Sequence, residues 1–135
     1  MKANAPFDVT GWDETPYGAE GDGPHLSEAL VLKQYHGDLE GEARARVLMC
    51  RASGEGPLQD AGYIASERVS GRLGGLAGTF VLQHWGIAAA GSPARTAGHV
   101  VPGSGTGELA GLSGTMAIEV DSDGRHTLEL EYRID

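Results

Sequence analysis

The chain has 135 residues, with 10 basic and 19 acidic side chains and a formal charge of −9, which sets aside nucleic acid and anionic membrane surfaces as partners. Its apolar content of 40% supports one core, a single domain over residues 1–135, and excludes disorder. Twenty-two glycines exclude long helices, because each interior glycine costs about 1 kcal/mol relative to alanine.

The N-terminus, "MKANAPFDVTGWDE", has no apolar run of signal-peptide length, and no stretch approaches the length of a membrane span. The single cysteine, Cys50, leaves no intramolecular disulfide and fits a reducing compartment, so cytoplasmic residence is expected. Alternation and turn chemistry predict strands at Phe7–Trp12, His25–Tyr35, Glu42–Cys50, Gly62–Arg72 and Thr79–Ala88. Three more follow at Ala97–Pro102, Thr115–Asp121 and His126–Ile134. The connections "YGAEGDGP", "ASGEGP", "AAAGSPARTAG" and "DSDGR" read as turns. Glu42–Cys50 is the least strand-like of these segments, since Ala, Arg, Leu and Met favour helix. About eight short strands at regular spacing predict an antiparallel barrel or sandwich.

A repeat refines the choice. "GRLGGLAGTFVL" (Gly71–Leu82) aligns with "GELAGLSGTMAI" (Gly107–Ile118), 36 residues on, through six identical pairs that include Gly75/Gly111 and Gly78/Gly114. A shortened echo, "GDLEG" (Gly37–Gly41), precedes Glu42–Cys50 and tips that segment to strand. Two copies and an echo are too few for a solenoid, so a barrel with repeated corners is favoured. The loop Gly105-Thr106-Gly107-Glu108-Leu109-Ala110 has the G-x-G-x-x-A form of a dinucleotide-binding turn. That turn needs a following helix, whereas here Gly111, Gly114 and a strand follow. Its glycines are read as backbone devices.

"ERVSGRLGGLAGTFVLQH" (Glu67–His84), "VPGSGTGELAGLSGT" (Val101–Thr115), "KQYHGDLEG" (Lys33–Gly41) and "LEYRI" (Leu130–Ile134) resemble the bacterial family designated domain of unknown function 3224. The resemblance implies an allene oxide cyclase-like antiparallel barrel with a central cavity. It supplies no catalytic residues.

Alternation assigns the inward face of each strand. Phe80, Leu82 and His84 fall in register with the apolar Met116, Ile118 and Val120, which points His84 inward. His126, Leu128, Leu130, Tyr132 and Ile134 form one face of the last strand; Tyr63, Ala65, Glu67 and Val69 form the inward face of the fourth. A buried carboxylate needs a proton or a partner, and Glu67 with His84 would be such a pair. It could act as a general acid/base couple or serve as a structural clasp. Tyr63, Glu67, Phe80, His84, His126 and Tyr132 are the candidate ligand contacts, with barrel filling as the plainer role of Tyr63 and Tyr132. His25, His36, His84, His99 and His126 show no ligand spacing, so no metal and no cofactor are expected. Ser104 lacks a nucleophile-elbow pattern and is read as a turn residue.

The expected function is binding of a small apolar molecule in the barrel cavity. The alternative is a cofactor-independent cyclase or isomerase acting on a hydrophobic substrate there. A barrel filled by its own side chains and acting through its surface is the third reading. Outward apolar positions such as Val81 and Trp85 predict a homo-oligomer, most simply a two-fold dimer.

Overall fold

The computed structural model describes residues 1–18, 23–52 and 60–135. The turns expected at "YGAEGDGP" and "ASGEGP" fall largely outside the described residues. Eight antiparallel strands follow one another round a closed barrel: β1 (Lys2–Pro16), β2 (His25–Tyr35), β3 (Leu39–Arg51), β4 (Ala61–Leu73), β5 (Leu76–Ala88), β6 (Arg95–Val100), β7 (Leu112–Val120) and β8 (His126–Ile134). The eight predicted strands all appear. Glu42–Cys50 lies inside β3, where its neighbours override a helical composition. Among the described residues the one helical turn is a 3-10 segment, Gly107–Leu109, and no helix is long and apolar enough to cross a membrane.

Several strand boundaries differ from the sequence reading, and two of the differences have a clear physical cause. β1 begins at Lys2 rather than Phe7, because Ala3 and Ala5 alternate inward opposite Leu130 and Leu128 of β8. Alanine carries no strand signal of its own; the partner strand supplies it. The glycine corner at Gly71–Gly78 is also tighter than expected. β4 runs on to Leu73, β5 starts at Leu76, and only Gly74-Gly75 turns.

The two copies of the repeat use their glycines alike. Gly75 and Gly111 both turn at φ +85°, a conformation that side chains resist. At Gly78 and Gly114 a Cβ would run into the carbonyl oxygens of Thr106 and Glu131, so these positions permit close backbone approach. The G-x-G-x-x-A loop leads directly into β7 and is pinned to β5, with Glu108 Oε1 accepting from the Ala77 N–H at 3.1 Å. Ser104 Oγ likewise accepts from the Val81 N–H at 3.0 Å, the work of a turn residue.

The two ends of the barrel are unlike. At the end bearing the chain termini, Tyr35, Leu39, Leu73, Phe80, Leu109 and Leu112 are fully packed. The opposite end presents Ala29, Val31, Ala45, Val47 and Ala65 inward. The wall is uneven there too. β1–β8 pairing stops at Phe7↔His126, while β1 continues along β2 to Pro16. β6 meets β7 through only Gly98↔Met116 and His99↔Thr115. Beyond those pairs the Thr96 hydroxyl stands in for the ladder, accepting from the Ile118 N–H at 2.6 Å and donating to its carbonyl at 3.1 Å.

Candidate functional site

Between the packed end and the small-residue end lies a layer of buried polar groups. Lys33 and Tyr35 come from β2, Tyr63 and Glu67 from β4, and His84 from β5. β3 separates β2 from β4, so Lys33 and Tyr35 must reach across it, roughly 10 Å at ordinary strand spacing. The inward residues of β3 in this stretch are Gly41, Ala43 and Ala45, which leave that path free. A row of three glycines, Gly41, Gly71 and Gly78, adjoins Tyr35 and leaves three strands without a side chain beside its ring.

Glu67 is the hub, with a wholly buried side chain. Lys33 Nζ donates to its Oε1 at 2.8 Å, and His84 Nε2 lies 2.9 Å from the same oxygen. The Tyr35 hydroxyl donates to Oε2. Lys33 Nζ also sits 4.6 Å from the centre of the Phe7 ring, a cation–π contact, and Phe7 packs on Tyr35 at 5.1 Å. On the far side, His84 Nδ1 lies 2.9 Å from the Tyr63 hydroxyl. Among the described residues no buried side-chain nitrogen or oxygen lacks a partner.

Electrostatics fixes the protonation pattern. Burial alone would raise the Glu67 pKa, but the charge of Lys33 and the hydrogen bond from His84 outweigh it and hold the carboxyl at about 2. Burial and the neighbouring Glu67 charge push Tyr35 well above its usual value and Tyr63 up to about 12, so both remain phenols. An ionised Glu67 only accepts, so His84 Nε2 donates to it, while Nδ1 pairs with the Tyr63 hydroxyl. Tyr63, His84 and Glu67 thus form one hydrogen-bonded chain, and Lys33 balances the charge. Glu67 and His84 do pair inside the barrel, with Gln83 and Arg68 exposed outside, but the carboxylate's affinity for protons is largely taken up by Lys33.

A family model of proteins of unknown function (DUF3224) matches residues 3–132. The chain belongs to DUF3224. A crystal structure of a protein with unknown function from this family, from Shewanella oneidensis MR-1, is 38% identical over 100% of this chain and 97% of that one, with a TM-score of 0.81. No curated protein matches the chain.

In this DUF3224 protein the sequence-predicted site residues separate into two groups. Tyr63, Glu67 and His84 come together in one hydrogen-bonded chain. Phe80 lies in the packed end opposite Val69, and Tyr132 lies in the same core near Gly74. His126 is exposed at the rim, its ring 5.5 Å from Phe7. Sequence reasoning missed Lys33, Tyr35 and Phe7. The available signal was the alternation Ala29, Val31, Lys33, Tyr35. It was masked because Leu26, Leu30 and Leu32 make the opposite face of β2 look like the inner one.

A second polar cluster caps the small-residue end. Arg51 of β3 reaches over β2 to pair with Glu14 of β1, which also accepts from Ser27 Oγ at 2.6 Å and Trp12 Nε1 at 2.9 Å. The hydrogen bond from Arg51 leads, and together these donors overcome partial burial to bring Glu14 to about 2.

Proposed function

We propose that this DUF3224 protein is a non-catalytic binding barrel for a small, largely apolar molecule with one polar end. The ligand sits at the small-residue end, its polar group meeting Tyr63, the half-buried terminus of the hydrogen-bonded chain. One observation carries this reading: large side chains fill one end of the interior, whereas Ala29, Ala45, Ala65, Val31 and Val47 line the other beside an incomplete wall. Apolar pockets with a few fixed polar groups are the usual form of a small-molecule site. Kinship with allene oxide cyclase-like barrels belongs to this reading, supported by the closed meander of eight strands. So do cytoplasmic residence, which the lone cysteine supports, and action without a cofactor.

The alternative, a cofactor-independent cyclase or isomerase, is favoured by the run of hydrogen bonds from Tyr63 to a buried charge. Against it stands the low pKa of Glu67, which leaves a poor base. The test is titration with anilinonaphthalene sulfonate, read by fluorescence. Saturable binding is expected, weakened at least tenfold by Ala65→Leu with the circular dichroism unchanged. Equal binding by that variant, or loss on an outer-wall change such as Ile64→Glu instead, overturns the reading.

A further inference from the structure

The outer wall of β2–β5 is unusually apolar. Leu48, Ile64 and Trp85 occupy one outward row across three strands, and Leu26, Cys50 and Ile87 occupy the next. Ile64 is 58% exposed and Ile87 56%, with Leu48 and Leu26 above 40%. A groove of about 830 Å³ runs along the first row, bordered by Arg46, Gln83 and His99. Contiguous apolar surface with a polar rim marks an interaction site.

We infer that this face is the interface of a two-fold homodimer. Charge selects the occupant. At −9, two copies repel unless their acids stay apart. Asp8, Asp13, Glu119, Glu129 and Glu131 are exposed on the strands of the other wall, whereas on β2–β6 the exposed Glu28, Glu40 and Glu42 are outnumbered by Arg44, Arg46, Arg68, Arg72 and Arg95. This face is therefore the least acidic approach. It is also self-complementary. Glu28, at its β2 margin, pairs with Arg46 at 3.2 Å, and Arg95, at its β6 margin, lies 5.8 Å from the centre of the Trp85 ring, so both are engaged within the chain. A two-fold axis lying in the face along β4 sets β3 of one copy on β5 of the other. Leu48 then meets Trp85, Cys50 meets Ile87, and Ile64 meets its own copy.

The extent is adequate. The strands β2–β6 and three outward rows, the third being the polar Arg46, Ser66 and Gln83, measure roughly 24 by 20 Å, about 480 Å² in projection, and side-chain relief brings the accessible area toward the ~800 Å² per partner of a stable complex. Val81 takes no part. It lies farther along β5 opposite Arg68, with its backbone held by Ser104 and Val101.

Light scattering at tens of micromolar tests the inference. The wild type is expected at twice the 14.0 kDa chain mass and Ile64→Glu at the chain mass, with an unchanged β-type circular dichroism spectrum. The corresponding rise in dissociation constant is at least ~30-fold, the scale of a central contact. Val120→Glu, at an equally exposed apolar site on β7, should stay dimeric. A monomeric wild type or a dimeric Ile64→Glu overturns the interface.

Discussion

β2 has two faces, and their polarity is reversed from the usual order. The inner face ends in Lys33 and Tyr35, both buried, while the outer face carries Leu26, Leu30 and Leu32. The inner polar groups are tolerated because each has a partner, and the low dielectric that would penalise a lone charge strengthens a matched one. Of the outer leucines, Leu32 covers Gly11 of the neighbouring β1, whereas Leu26 lies on the proposed dimer face. The comparison teaches that hydrophobicity along a strand reports where contacts are made, here with a neighbouring strand and, on the proposed dimer face, with a second copy, and not simply which side is the core.

The strongest way to break this comparison is to remove one inner charge. Lys33→Met leaves Glu67 buried without its cation and should cost about 3–5 kcal/mol in denaturant melts. His84→Leu removes one of three donors to Glu67 and should cost less, about 1–2 kcal/mol. Equal losses in the two variants would show that the charge of Lys33 is not what holds the layer together.

Acid provides the next largest effect. Glu67 and Glu14 both sit at about 2 in the folded chain, below the ordinary 4.5. For a depressed carboxyl, the stabilisation is complete above the unfolded value and disappears as pH falls through the folded one. Stability should therefore decline between about pH 4.5 and 2. Glu67→Gln should be less stable at pH 7 yet show a shallower decline, measured by guanidinium melts across that range. An unchanged slope would shift the acid response to other groups.

The smallest effect belongs to the outer face. In the Ile64→Glu background, Leu48→Gln should change stability by within about 0.5 kcal/mol, since an exposed position away from special contacts contributes little. A larger loss would mean that the outer row supports the barrel itself.

Much of the fold was legible because it rests on local rules. The Asp121–Gly124 turn, the alternation of β8 and the Gly75/Gly111 corners each indicate their structure within a few residues. The pairing of Glu67 with His84 was legible for the same reason, as both interrupt an otherwise apolar face. Lys33 and Tyr35 were not. Their partner stands two strands away, and the small residues of β3 that give them passage look unremarkable in sequence. The extension of β1 to Lys2 was hidden likewise, since its alanines become strand only against Leu128 and Leu130.

The Thr96 hydroxyl, standing where backbone pairs would otherwise join β6 to β7, gives the ring a seam. The other joints are longer ladders, with one register shift in β1–β2 between Val9 and Gly11, and this one is two pairs and a side chain. A closed barrel has no edge to offer another strand, but a barrel that parts at its weakest joint briefly has two. Opening there would leave β6, the shortest strand, held by its pairing with β5, without breaking the hydrogen bonds of the Glu67 layer on β2, β4 and β5. Amide hydrogens along the parted edges of β6 and β7 are the ones such breathing would expose first.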